Sequence, residues 1–184
     1  MSKHRSQFEL EAGLDEIGRA PDDAGELKLI VRRPAPGERE VLTEAALDVD
    51  NGLAGDNWLQ RGSRHTDDGS AHPDMQLNMM NARVARLIAG SPERWPLAGD
   101  QLYIDMNLSD DNLPPGTRLS LGEAIIEVTA EPHLGCQKFK QRFGEAAMKF
   151  VNSDRGKILK LRGINAKIVR GGVIRSGDVA RKLD

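Results

Sequence analysis

The chain has 184 residues, 39% hydrophobic and 29% charged, with 26 Lys and Arg against 28 Asp and Glu for a formal net charge of −2. That length suits one domain with a core of its own. No apolar run nears the roughly 18 residues a membrane span needs, and a charge close to zero speaks against a general nucleic-acid binder. The charge is unevenly spread, however: 13 Lys and Arg meet 24 Asp and Glu through Pro132 (−11), and 13 meet 4 from His133 onward (+9). Either strands from the two parts interleave and the charges largely cancel, or the last third builds an anion-binding face. The single Cys136 excludes an internal disulfide and points to a reducing compartment. The first ten residues carry Lys3, Arg5 and Glu9 and no apolar stretch, so no secretory leader is expected and the cytoplasm is the expected location.

Along the chain, residues 1–25 read as an N-terminal extension, a short surface helix with a weak stripe at Leu10, Leu14 and Ile17 followed by a loop; residues 26–184 read as one β-rich domain. Leu27, Leu29 and Val31 alternate along a strand over Glu26–Arg33, stopped by Pro34-Ala35-Pro36-Gly37, and a second strand is expected within Val41–Val49. Gly52–Asp74 is rich in Gly, Asp, Ser and His and reads as a long loop of the functional kind. Leu77, Met80, Val84, Leu87 and Ile88 carry a helical period over Gln76–Ala89. Strands are then expected at Gln101–Met106, Thr117–Leu121 and Ala124–Thr129, the last two joined by a hairpin at Gly122-Glu123. A short helix near Glu145–Val151 follows. Ile164–Val169 and Val173–Ile174 flank Gly171-Gly172 as a further hairpin, and Gly177-Asp178 turns into a last strand over Val179–Leu183. Many short strands and few helices predict a mainly β fold, an antiparallel sheet closed or partly closed into a barrel that hides its edges.

Three places carry chemistry. After Cys136 come Lys138, Lys140 and Arg142 with no acid before Glu145, and an extended chain would put all four on one side. Cations beside a thiol favour the thiolate, the form that attacks electrophiles and binds soft metals, although a lone cysteine also serves as a small buried hydrophobe. The long loop offers Asp56, Arg64, His65, Asp67, Asp68 and His72. Its histidine spacing matches no zinc pattern, and Asp56 after a glycine is also an ordinary turn residue. Asn107, in Asp105-Met106-Asn107-Leu108, stands where a strand end meets a barrel mouth, or simply caps a turn. No phosphate-binding P-loop, dinucleotide glycine fingerprint, Gly-x-Ser-x-Gly elbow or His-Glu-x-x-His is present.

Taken in order, Gly52-Leu53-Ala54-Gly55-Asp56-Asn57-Trp58, Leu119–Ala124 running to Val128-Thr129-Ala130-Glu131-Pro132-His133-Leu134-Gly135-Cys136, Arg162–Val169 and Gly177-Asp178-Val179 resemble the MOSC domain, named for the C-terminus of molybdenum cofactor sulfurases. The likeness runs from about Leu27 to Leu183. It implies a barrel of the pyruvate kinase β-barrel type whose cysteine, here Cys136, carries sulfur or ligates the molybdenum of a pterin cofactor. His133, Lys138, Arg142, Asn107, Asp56, Arg64 and His65 are then the expected cofactor contacts. Many members place Pro directly before that cysteine and Arg three residues before it; this chain has Gly135 and His133. The resemblance implies sulfur transfer or reduction of N-hydroxylated compounds, with a sulfur donor or redox partner supplied by other proteins. The alternative is a non-catalytic carrier of sulfur or of a small anion. Neither nucleic acid nor membrane is an expected partner.

Overall fold

The computed structural model describes residues 4–184, so residues 1–3 of the expected N-terminal extension lie outside the described residues. In chain order the elements are α1 (Gln7–Ala12), α2 (Leu14–Gly18), β1 (Gly25–Arg32), β2 (Glu40–Leu42), β3 (Glu44–Asp48), β4 (Gly52–Leu53), α3 (Trp58–Arg61), β5 (Leu77–Asn81), α4 (Ala82–Ala89) and β6 (Leu102–Asp105). They continue with β7 (Arg118–Leu121), β8 (Ala124–Val128), α5 (Gln137–Phe143), α6 (Glu145–Asn152), α7 (Asp154–Ile158), β9 (Ile164–Arg170), β10 (Gly172–Arg175) and β11 (Val179–Lys182). Short 3₁₀ turns cover Pro73–Met75 and Pro92–Ala98.

The ring of strands runs β1-β6-β5-β9-β8-β7-β11 and closes where Gly25 and Glu26 of β1 pair with Ala180 and Val179 of β11. Closure leaves few open edges, which is the physical reason for a barrel. β2 hangs on β1, and β10-β3-β4 form a small second sheet. The barrel is mixed where the sequence predicts antiparallel pairing, because β5 and β6 run parallel. The connection between them, α4 and the Pro92–Ala98 turn, is the long crossover that a parallel pair requires.

Two apolar clusters share the strands between them. Ile30, Met79, Leu102 and Ile104 point into the barrel with Leu119, Ile126 and Ile168, while their neighbours Val31, Met80 and Tyr103 point outward against Leu10, Ile17, Val84, Phe139 and Phe150 on the helices. The expected surface helix of the N-terminal segment is thus α1 and α2, which bury Leu10 and Ile17 in the outer cluster.

This two-sided burial explains the largest departure from the sequence reading. Gln76–Ala89 is a strand followed by a helix, not one helix. Every residue of β5 is buried, which removes the alternation that marks a strand and leaves Leu77 and Met80 imitating a helical stripe. The Asn81 side chain then caps α4 by accepting from the Arg83 N–H at 2.8 Å. In β1, an irregular register between Leu27 and Leu29 turns Leu27 into the barrel but Leu29 and Val31 outward, so the three do not share a face. Val41–Val49 divides at Thr43 into β2 and β3.

The hairpin at Gly122-Glu123 forms, with Leu121 opposite Ala124 and Gly122 at φ +56°. Gly171-Gly172 makes no hairpin: β9 pairs with β5 and β8, and the chain then leaves the barrel to pair β10 with β3. The charge asymmetry cancels in part across the fold, since Lys160 meets Asp110, Arg162 meets Asp100, Lys167 meets Glu127 and Arg175 meets Glu44. No helix among the described residues is long and apolar enough to cross a membrane.

Candidate functional site

The segment between β8 and α5 has no regular structure and is held by side chains from its surroundings. The Asn165 amide on β9 donates to the Glu131 and Pro132 carbonyls at 3.0 and 3.3 Å. Asn152, at the end of α6, clamps Gly135 from both sides: its Oδ1 accepts from the Gly135 N–H at 2.8 Å and its Nδ2 donates to the Gly135 carbonyl at 2.9 Å. Immediately beyond the clamp, Cys136 opens α5 with an exposed thiol, and Phe139 and Phe143 bury the opposite face of that helix.

Because α5 is a helix, the expected extended alignment of Cys136, Lys138, Lys140 and Arg142 does not occur. Lys140 turns to Glu145 at 3.2 Å, and Arg142 donates to the Leu97 carbonyl at 2.7 Å. Lys138 alone of these cations lines the cleft at Cys136. That cleft has a volume of about 700 Å³ and is walled on the far side by Arg61, Arg64, His65 and Met75. Among the described residues, its lining contains three permanent cations, one imidazole and the thiol, and no carboxylate.

The far wall is the expected long loop, which the structure resolves into β4, α3 and a tight coil. The Gly69 carbonyl accepts from the Ser63 N–H at 3.3 Å, and Thr66 Oγ1 donates toward the Ser63 and Ser70 carbonyls at 3.0 and 2.7 Å. Gly62 sits at φ +67°, where a Cβ would fall 2.2 Å from the Gly69 oxygen, so the coil closes only over a glycine. Trp58 ties its base by donating from Nε1 to the His72 carbonyl at 3.2 Å.

Asp56 does not reach the cleft; it is the buried anchor beneath it. Its two oxygens take Arg33 Nε and Nη2 at 2.9 Å each, and they also accept from the Arg33 and Trp58 backbone N–H groups. Arg33 continues to Asn78 Oδ1 at 2.7 Å, and Asn78 donates to Asn165 Oδ1 at 2.6 Å, so one buried polar chain links the base of α3 to the segment leading to Cys136. Burial, and then the nearby Arg33 charge, lower the pKa of Arg61.

His133 is also turned away from the cleft. Its Nε2 bonds Asp100 Oδ1 at 2.7 Å, and Arg162 Nη1 bonds the other oxygen at 2.6 Å. Burial, and then the Arg162 charge, push the His133 pKa below its usual 6.5, so the ring is neutral and donates to Asp100. Burial opposes ionisation of Asp100, but the Arg162 charge prevails and lowers its pKa to about 2. Asn107 binds Asp22 Oδ1 at 2.8 Å and accepts from the Ser109 N–H at 3.0 Å, a turn cap that does not line the cleft.

Of the expected site residues, the structure therefore brings Cys136, Lys138, Arg64 and His65 to one cleft. It places Asp56 beneath the cleft and His133, Arg142 and Asn107 elsewhere. Arg61 and Asn152 escaped the sequence reading. Arg61 lies in a stretch that carries no helical stripe, and Asn152 is sixteen residues from the cysteine it positions, with no spacing rule to connect them. Among the described residues, no group of three or more His, Cys, Asp or Glu is placed to hold a metal ion.

A model of the MOSC domain matches residues 68–181. No curated protein matches the chain. Among solved structures, the YuaD protein from Bacillus subtilis is 14% identical with a TM-score of 0.63 over 88% of this chain and 97% of that one. YiiM from Escherichia coli is 20% identical with a TM-score of 0.56 over 86% of this chain and 70% of that one. YiiM from Geobacillus stearothermophilus is 13% identical with a TM-score of 0.57 over 87% and 75%. At these identities the likeness shows the fold. β1, which closes the barrel against β11, and Arg61, Arg64 and His65 of the cleft wall all precede the matched span.

Proposed function

The chain belongs to the MOSC domain family, a family associated with molybdenum cofactor binding and sulfur transfer, and from that premise we propose that the Cys136 cleft holds an anionic molybdenum–pterin cofactor. The observation that carries the reading is the composition of the cleft: the only thiol of the chain faces a space of about 700 Å³ together with Arg61, Arg64 and Lys138, and no acid among the described residues shares the wall.

The residues fit the group. A soft metal accepts a thiolate, and a metal whose other ligands come from its own organic cofactor needs just one protein sulfur; the cleft offers one thiol and, among the described residues, no cluster of further ligands. The planar guanidinium forks of Arg61 and Arg64 suit the phosphate of the pterin, and Lys138 adds a compact charge beside the thiol. Gln137 and His65 supply hydrogen-bonding groups for the ring system. When bound, such a group supplies two-electron oxygen- or sulfur-transfer chemistry at the metal, suited to reduction of N-hydroxylated compounds. The chain's own part is to hold the thiol at a fixed point through the Asn152 clamp and to neutralise the anion with Arg61, Arg64 and Lys138. Electrons or sulfur then come from a partner protein.

The test is metal and pterin content after purification from a cofactor-sufficient host. Near-stoichiometric molybdenum and pterin are expected, falling several-fold in Arg61→Glu with Arg64→Glu; a wild-type protein free of both overturns the reading. The exposure of Cys136 favours a second reading, a sulfur carrier. Mass spectrometry after incubation with a cysteine desulfurase then shows a persulfide on Cys136 in a protein that carries no cofactor.

A further inference from the structure

A second pocket of about 350 Å³ lies between the Pro132–Leu134 segment and the α6–α7 corner, and it shares no lining residue with the Cys136 cleft. Leu134 and Val151 give it an apolar wall, and Lys157, Lys160 and Arg162 bring three cations to it. Its size sits at the low end of the roughly 300–1,000 Å³ common for small-molecule sites.

Arg162 is the unusual wall residue. It is 5% exposed, and its two terminal nitrogens are committed inward, Nη1 to Asp100 at 2.6 Å and Nη2 to the Ala98 carbonyl at 2.8 Å. Its Nε–H, buried, has no partner among the described residues. A buried donor left unpaired is costly, so such a group calls for an acceptor from outside the chain.

The charges around the pocket fix the valence of that acceptor. Asp100 neutralises Arg162, and Asp110 neutralises Lys160 at 3.1 Å. The exposed Lys157, which has no carboxylate within 4 Å among the described residues, leaves one positive charge in excess. A singly charged head is the match, and the Leu134–Val151 wall asks for an apolar body behind it.

We propose that this pocket binds a small monocarboxylate with an apolar or aromatic body, its carboxylate accepting from Arg162 Nε–H and pairing with Lys157. The site is independent of what Cys136 carries.

The test is an NMR titration of the ¹⁵N-labelled full chain with sodium benzoate. The Arg162 Nε–H resonance reports directly on the predicted contact. Benzoate is expected to move it saturably, together with the amides of Leu134, Val151 and Lys157, and benzyl alcohol is expected to leave it in place. Lys157→Ala, a change at an exposed side chain that leaves the fold intact, weakens benzoate binding about tenfold, whereas Cys136→Ser leaves the affinity unchanged. The proposal is overturned if benzoate produces no saturable shift, if the shifts fall only on Cys136, Lys138 and Arg64, if benzyl alcohol binds equally, or if Lys157→Ala has no effect. Tighter binding of phenyl phosphate than of benzoate contradicts the monoanion assignment.

Discussion

Replacing Asp56 by Ala removes the carboxylate that five donors converge on, three from Arg33 and one each from Trp58 and Gln101, and the structure sets the scale of the damage. Asp56 and Arg33 side chains are 1% and 5% exposed. The substitution therefore strands a guanidinium away from water and leaves the Trp58 N–H at the start of α3 without its acceptor. Breaking a buried ion pair from one side costs about 3–5 kcal/mol. For a chain of this size each kcal/mol lowers the melting temperature by about 2–4 °C, so a drop of roughly 6–20 °C is expected. Urea and thermal unfolding followed by circular dichroism measure it. The double variant Asp56→Ala with Arg33→Met is expected to recover part of the loss, because the stranded charge is then gone. A loss below about 1 kcal/mol for Asp56→Ala, or a double variant worse than the sum of its parts, refutes the assignment of Asp56 as a structural anchor.

Three further outcomes follow from the same geometry. Asn152→Ala removes both bonds to Gly135 and is expected to cost about 1–3 kcal/mol and to raise the rate at which a maleimide labels Cys136, measured by stopped alkylation and mass spectrometry. Gly62→Ala forces a Cβ to within 2.2 Å of the Gly69 carbonyl at a positive φ. It costs on the order of 1–3 kcal/mol and lowers cofactor retention without touching the thiol, which unfolding and metal analysis together show. Acidification destabilises the fold in two stages. Depression of the His133 pKa means its contribution is whole above 6.5 and declines as the pH falls below that value. The Asp100 contribution, about 2 kcal/mol from a carboxyl lowered from 3.8 to about 2, is whole above 3.8 and is lost as the pH falls from there toward 2. Asp100→Asn flattens that lower limb in a stability-versus-pH series.

What was legible in the sequence depended on whether a strand shows one face or two. β7 and β8 alternate buried and partly exposed residues around a Gly-Glu turn, and the pattern predicts both the strands and their hairpin. β5 is buried on both faces between the barrel interior and α4, so its period vanishes and a helix was expected in its place. The cleft behaved similarly. Cys136, Lys138, Arg64 and His65 announce themselves by residue type, and the ordered motifs of the family pointed to the cysteine. The partners that place them do so across distances with no linear signature: Asn152 to Gly135, and Asp56 through Arg33 and Asn78 to Asn165. Arg142 was expected at the cleft on the assumption of an extended chain, and one turn of helix carries it to the Leu97 carbonyl instead.

The central claim is that the Cys136 thiol itself meets the metal of the bound cofactor. X-ray absorption at the molybdenum edge, on wild type and Cys136→Ser purified side by side, tests it most directly. The account predicts one protein sulfur ligand in the wild-type spectrum and its loss in the variant. Identical sulfur shells in the two proteins, at equal molybdenum content, contradict it.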